Sequence, residues 1–403
     1  MSETWIEVNL DAVLNNYQEI IGHLQPQSRL MAVVKADAYG MGAVQVAHVL
    51  QEAGCEAFAV TTVSEGIILR EHGIDALILV LSPVLKEEVE EALQANLQLT
   101  LSSFGQIQSL EEFAADLGKT AQVHIKLETG MGRTGFFYED LEDLAQALAA
   151  NPHIKAVGVF THLARAAQRD RTYTQEQYNH FQKGVKRLEE LGVNSMLKHI
   201  CNSAAFLDFP EWHLDFVRVG TLLIGHFPAP SFAGKLKLKD PWVAKTRIIH
   251  MRNVPKGTYV GYQSTYRTKK ETQLAVIPVG YADGFGVVPH FVPQGFWDFI
   301  KIVIKNMLAL FGVYLGGETV NLRGHVVPVA GKIGMQLTVL DVGNFSCQVG
   351  DEVVIPLRRT LANPRIDRIY CKDKTFFVKR GIKEGFLSLN TEYQPGYGEI
   401  NTK

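Results

Sequence analysis

Between residues 29 and 225 the chain alternates short apolar runs with amphipathic stretches. The runs are RLMAVVKA (29–36), AFAVTT (57–62), ALILVLS (76–82), LQLTLS (97–102), QVHIKLET (122–129), AVGVFTH (156–162), KHICNS (198–203) and FVRVGTLLIG (216–225). Each is short and carries an apolar core, and the first, running up to Lys35, reads as a buried strand. Helix-like segments such as AVQVAHVLQEAG, EEVEEALQAN and YTQEQYNHFQKGVKRLEELG lie between them. Eight strands alternating with helices predict a (β/α)8 barrel over residues 11–235, opened by the helix LDAVLNNYQEIIGHL.

Beyond residue 235 the texture changes. WVAKTRIIHMRNV, GTYVGYQSTYRT, TQLAVIPVGYADGF, ETVNLRGHVVPVAGKIGM and GDEVVIPL read as strands separated by turns. They predict a β-rich second domain over 236–403, joined by a strand at 3–10. A helix-like insertion near 295–315 interrupts it. That insertion is strongly apolar, yet its Asp298, Lys301 and Lys305 argue against a membrane span and favour burial against protein over an interfacial membrane helix.

Composition narrows the classes. Forty basic and 42 acidic residues in 403 leave a net charge of −2, so no broad field recruits nucleic acid. The four cysteines, Cys55, Cys201, Cys347 and Cys371, form no CxxC pair, which disfavours a zinc site or disulfide framework and suits a reducing compartment. The opening residues lack a basic-then-apolar targeting pattern, so a cytoplasmic location is expected.

In a barrel of this kind, working residues belong at the C-terminal ends of the strands. Read in order, those ends carry Lys35 with Tyr39, Lys126 with Arg133, His162, Asn202 with Ser203, and Arg218 with Gly220. Each has an ordinary reading by itself: a lysine reaching water, a core histidine, a helix cap, a surface ion pair. Together they suggest one rim. A neutral lysine amine there can form a Schiff base with an aldehyde cofactor, of which pyridoxal phosphate is the common one. Ser203 and the Gly220–Thr221 backbone stand where barrels commonly hold phosphate, and Tyr39 is placed to donate a further hydrogen bond.

VVKADAYGMG, HIKLETGMGRTG, GVFTHLA, HICNSAAF, FVRVG, VGYQSTY and IPVGYADGF follow one another from residue 33 to about 286. In this order they resemble the successive motifs of the alanine racemases, fold-type III pyridoxal-phosphate enzymes. The resemblance implies an isomerase with a TIM barrel and a C-terminal β domain, acting as a cytoplasmic homodimer with shared active sites and serving D-alanine biosynthesis for peptidoglycan. It implies Lys35 as the Schiff-base lysine and one base. Tyr266 of the partner's β domain would be the opposite base, assisted by His162 and Arg218. Arg218 would also face the pyridine nitrogen. Arg133 would meet the cofactor's phenolic oxygen and the substrate carboxylate, braced by Lys126, which family members often carry as a carbamate. The Met335 backbone would help hold the carboxylate, and Tyr281 would narrow the entrance. No metal is implied.

The chain departs from the family pattern late. Gly334 and Gln336 flank Met335 where a cysteine and an aspartate are familiar, Ile224 stands where tyrosine is commoner, and Glu128 replaces an aspartate. No clear copy of the late tyrosine segment follows, with Tyr370 as its nearest substitute. These changes keep other readings open: a racemase of serine or of a longer or basic amino acid, or a decarboxylase. A decarboxylase of this fold type usually carries an essential cysteine and a glycine-rich phosphate motif that are not found here. A cofactor carrier without activity would be a single barrel.

Overall fold

The computed structural model describes residues 3–288, 296–310, 318–373, 375–383 and 386–390. The chain forms two compact units, Leu10–Pro241 and a second built from Met1–Asn9 with Trp242–Lys403.

The first unit is the expected barrel. Its strands are β1 (Arg29–Val33), β2 (Ala57–Val60), β3 (Leu77–Val80), β4 (Gln98–Leu101), β5 (Ala121–Lys126), β6 (Ile154–Phe160), β7 (Leu197–His199) and β8 (Phe216–Val219). Sequence neighbours pair in parallel from β1 to β7, and β8 pairs with β1. The ring closes between β7 and β8, where the Asp215 N–H donates to the Lys198 carbonyl (3.1 Å) and the Arg218 N–H to the Cys201 carbonyl (3.0 Å). Met31, Val33, Ala57, Ala59, Leu79 and Phe216 pack together in one buried cluster. Alternate residues of the same strands, Leu30, Ala32 and Phe58, are buried as well, which is why the strands read as unbroken apolar runs.

The opening helix, Leu10–Ile21, is fastened to this unit by one buried polar side chain. The Asn16 amide donates to the carbonyls of Leu223 (3.0 Å) and Lys239 (2.8 Å) and accepts from the Lys239 N–H (2.7 Å). With its partners satisfied, the buried amide stabilises the attachment.

The second unit holds an eight-stranded sheet with Thr4–Asn9 inside it, antiparallel to Trp242–Arg247 and parallel to Asp367–Lys372. A three-stranded sheet joins His250–Val254, Thr272–Ile277 and Thr338–Gly343, and a short hairpin pairs Tyr259–Val260 with Tyr266–Arg267. Val254, Val260, Leu274 and Ala330 form a core cluster on which the Tyr266 ring packs. Tyr370 lies fully buried in the strand Asp367–Lys372, with no surface to offer a ligand. Within the predicted insertion, Phe296–Leu310 is a helix whose Phe296, Trp297 and Phe299 are exposed; residue 295 and residues 311–315 of the predicted segment lie outside the described residues. Among the described residues no helix is long and apolar enough to cross a membrane.

Candidate active site

At the C-terminal mouth of the barrel a cavity of about 640 Å³ is lined by Lys35, Tyr39, Lys126, Arg133, His162, Asn202, Ser203, Arg218, Gly220 and Thr221. Every barrel residue named from the sequence as a candidate for the rim therefore meets at one place. Met335, Tyr281 and Tyr266 belong to the other unit.

Lys35 sits at a sharp reversal. After β1 the backbone turns left-handed for four residues, Ala36, Asp37, Ala38 and Tyr39, with φ between 50° and 57°. None is glycine, so each carries a cost of about 1–2 kcal/mol that the surroundings must offset. Glu65 does part of this. Its carboxylate accepts from the Ala36 N–H (2.6 Å) and from the Thr61 N–H (2.8 Å), while Thr62 and Glu65 form the capping box of helix Val63–Glu71. Asp37 accepts from the Ala43 N–H (2.8 Å), fixing the far side of the turn. Burial lowers the affinity of the Lys35 amine for a proton, and Arg133 and Arg218 lower it further against the pull of Glu65. The amine is thus nearer to its nucleophilic, neutral form than an ordinary lysine.

Across the cavity, Tyr39 and Gly220 are in close contact. A β-carbon at Gly220 would lie 2.1 Å from the Tyr39 hydroxyl, so only glycine fits. Burial pushes the Tyr39 phenol up to about 12 and keeps it a donor. The Gly220 N–H points at Ser203 Oγ (3.4 Å), and the buried Thr221 hydroxyl has no hydrogen-bond partner among the described residues. Asn202 is the helix cap expected of that residue type: its side chain accepts from the N–H groups of Ala204 and Ala205, both at 3.1 Å.

Arg218 is buried at the cavity wall, and burial lowers it to about 10. Its terminal nitrogens donate to the carbonyls of His199 (2.9 Å), Thr161 (2.7 Å) and Ile200 (3.3 Å), and to His199 Nδ1 (2.9 Å). His199 Nε2 meets His124 Nδ1 (2.8 Å), and His124 Nε2 meets Gln98 Oε1 (2.7 Å). Neither histidine was singled out from the sequence, although HIK and KHI place both on barrel strands.

Lys126 donates to the Thr134 hydroxyl (2.6 Å) and lies 5.8 Å from the centre of the Phe160 ring. Burial and then Arg133 bring it to about 8. Glu128 folds the loop that carries Arg133, accepting from the N–H groups of Gly130 and Met131 at 2.6 Å. Burial alone would raise this carboxyl, but its backbone donors hold it below the usual range. Burial, with Arg218, Arg133, Lys126 and Lys35 around it, lowers His162 to about 3, so its imidazole is neutral.

The two halves of the chain match the models of the alanine racemase N-terminal domain over residues 8–228 and C-terminal domain over residues 242–372. The chain belongs to the alanine racemase family. It is 37% identical to the alanine racemase of Clostridium tetani over 355 residues, which cover 87% of this chain and 85% of that one. Identity to the alanine racemase of Desulfosudis oleivorans is 38%, covering 87% and 86%. Among solved structures, the alanine racemase of Clostridium difficile 630 superposes with a TM-score of 0.84 at 29% identity, over 94% of this chain and 99% of that one. The alanine racemase of Bacillus anthracis with bound L-Ala-P gives 0.82 at 28% identity, over 94% and 97%.

Family membership turns attention to the second unit, where two tyrosines of VGYQSTY behave differently. Tyr266 is half-buried and its hydroxyl donates to Asp341; burial first, and then that carboxylate, push the phenol up to about 12. Tyr262, four residues earlier, is 74% exposed. It follows Gly261 (φ 74°) and precedes Gln263, a non-glycine residue at φ 60°. Tyr281 and Met335 are exposed too, and their segments are tied by hydrogen bonds of 3.0 Å from Tyr281 N–H to the Gly334 carbonyl and from Ala282 N–H to the Met335 carbonyl.

Proposed function

We propose that the protein is a pyridoxal-phosphate-dependent racemase that interconverts L- and D-alanine in the cytoplasm, supplying D-alanine for peptidoglycan. The observation that carries this reading is the cavity itself. Lys35, with its depressed proton affinity, faces a space walled by Lys126, Arg133 and Arg218, a setting suited to a phosphate and a carboxylate together.

The residues present fit the cofactor. Lys35 would hold its aldehyde carbon. The unpartnered Thr221 hydroxyl, Ser203, Tyr39 and the Gly220 backbone would hold its phosphate, in a space that a β-carbon at Gly220 would fill. Arg218 would face the ring nitrogen, and Arg133 the phenolic oxygen and the substrate carboxylate. When bound, the cofactor supplies an electron sink that weakens the bond to the substrate's α-hydrogen.

Racemisation removes a proton from one face of the α-carbon and returns one to the other, so two groups must flank it. Lys35 is the first. For the second we assign Tyr262 in place of Tyr266, because a phenol donating to a carboxylate resists losing its proton and is not turned outward. Tyr262 would come from the partner of a homodimer, together with Tyr281 and the Met335 backbone. His162, neutral at physiological pH, is able to accept a hydrogen bond from that tyrosine.

The test is chiral analysis of alanine, serine, lysine and ornithine after incubation with the purified protein and pyridoxal phosphate. Conversion of alanine far ahead of the others is expected. Conversion of a longer amino acid instead would move the substrate to the wall altered at Gly334 and Gln336. Lys35→Ala should abolish the absorbance of the lysine-bound cofactor. Tyr262→Phe should retain that absorbance and lose racemisation; full activity in this variant would return the role to another residue.

A further inference from the structure

The turn Gly261–Ser264, which presents Tyr262, is strained: Gln263 and Ser264, neither of them glycine, stand at φ 60° and 52°. Such geometry persists only where its surroundings over-determine it. Two anchors do so here. On the exposed side the Lys332 ammonium donates to the Gln263 amide oxygen, and the Gly261 and Gly331 backbones run close together, a β-carbon on Gly331 falling 2.8 Å from the Val260 carbonyl oxygen. On the inner side the anchor is Asp341. One of its carboxylate oxygens accepts from the Tyr266 hydroxyl. The other accepts from the Thr272 hydroxyl (2.5 Å) and the Gly343 N–H (3.1 Å).

These contacts come from three segments of the second unit. Asp341 and Gly343 lie on strand Thr338–Gly343, Thr272 on its neighbour, and Tyr266 at the return of the hairpin that begins with Tyr259 and Val260. The Tyr266 ring fills the cluster of Val254, Val260, Leu274 and Ala330. Ring and hydroxyl together therefore fix where the hairpin leaves the sheet. Tyr262 projects from the loop between its two strands.

We propose that Asp341 is a positioning residue for the proton transfer: by taking the Tyr266 hydroxyl it sets the hairpin that presents Tyr262. This rests on the assignment of Tyr262 as the second proton-transfer group. A displacement of that group by a fraction of an ångström lengthens the proton transfer and lowers turnover, while substrate and cofactor contacts made elsewhere are spared.

The experiment compares holoenzymes carrying Asp341→Asn, Tyr266→Phe, both changes, and Tyr262→Phe. Each single clamp variant should lose about tenfold to a hundredfold in kcat for both directions, with KM for alanine and cofactor affinity little changed. The double variant should be no worse than the poorer single, since both remove one interaction. As a readout besides activity, 3-fluorotyrosine incorporation gives Tyr262 a fluorine resonance, assigned by its loss in Tyr262→Phe. That resonance should shift or broaden in Asp341→Asn even without cofactor. If kcat stays within twofold and the resonance is unmoved, the proposal is wrong. A lowered melting temperature with wild-type kcat in the folded fraction overturns it too, leaving Asp341 a structural residue. Undiminished racemisation by Tyr262→Phe would instead defeat the underlying assignment, whatever the clamp variants do.

Discussion

His199 Nδ1 lies 2.9 Å from Arg218 Nη1, and this single contact fixes the protonation of two buried histidines. A guanidinium only donates, so Nδ1 must carry a lone pair. The remaining proton of a neutral His199 is then on Nε2, which donates to His124 Nδ1. His124 must in turn be protonated on Nε2, where it donates to Gln98 Oε1, and the Gln98 amide donates to Gln122 (2.6 Å). The guanidinium at the cavity is thus the head of a one-way chain through the barrel. Arg218 is held in orientation by groups that cannot reverse without breaking several bonds.

His199→Phe keeps the ring stacked on Phe160, whose centroid is 4.9 Å away, but deletes both ring hydrogen bonds. Arg218 retains its three carbonyl acceptors, so the barrel should still fold. His124 Nδ1 is left buried and unpaired. The expected loss of stability is about 2 kcal/mol. Urea unfolding measures it, and a weakened cofactor absorbance should accompany it as Arg218 gains freedom.

Gly220→Ala should reduce cofactor affinity at least tenfold, about 1.4 kcal/mol. The added methyl overlaps the Tyr39 hydroxyl at 2.1 Å and must push either the phenol or the Gly220–Thr221 backbone into the space read as the phosphate site. Adding Tyr39→Phe removes the nearest atom, although the ring carbon that bore it stays at 2.8 Å. The double variant should therefore recover only part of the affinity. Titration of apoprotein with pyridoxal phosphate, followed by absorbance, separates the three proteins.

The barrel was legible because its strands are buried on both faces and punctuated by helices of the right length. The rim was legible because strand ends carried polar groups out of keeping with the runs before them. What could not be read is what depends on distant partners or on backbone geometry. Tyr262 and Tyr266 are four residues apart in one motif, and alternation alone would put both on the same face of a strand. Asp341, 75 residues further on, engages one of them. The left-handed run after Lys35 contains no glycine to announce it, although the Thr62–Glu65 capping box that supports it is a visible T-x-x-E signal. The His199–His124 chain was hidden for a similar reason, since inward-facing histidines on apolar strands look like any satisfied core histidine.

Stability should fall as the solution is acidified from about pH 6.5. Burial, with Arg218 nearby, lowers His124 and His162 to about 3 from 6.5, and lowers His199 well below its ordinary value. Between those values the unfolded chain binds protons that the folded chain refuses, so acid favours unfolding. Each such histidine contributes at most about 1.4 kcal/mol per pH unit within that window. Above pH 6.5 these histidines are neutral in both states and their share of the dependence should vanish. Urea midpoints from pH 7.5 to 4.5 measure the slope, and a His162→Asn variant should lose one histidine's share. An unchanged slope would place His162 in water rather than among the cavity's cations.

Lys126 offers the last prediction. With its amine brought to about 8, roughly half is neutral at pH 8, a much larger share than for an ordinary lysine. A neutral amine adds carbon dioxide and releases a proton, and the resulting carbamate anion would lie near Arg133 and Arg218, the groups whose charge disfavours an ammonium there. Carbamylation exchanges a cation that repels Arg133 for an anion that attracts it, so it should draw the Arg133 side chain into place for a substrate carboxylate. Protein equilibrated with 13C-bicarbonate should show a carbamate carbon resonance that is absent in Lys126→Ala. That variant should lose substrate affinity, with KM for alanine rising about tenfold, and chloride or acetate should restore part of it by standing in for the anion. A resonance that survives Lys126→Ala would assign the carbamate to another lysine.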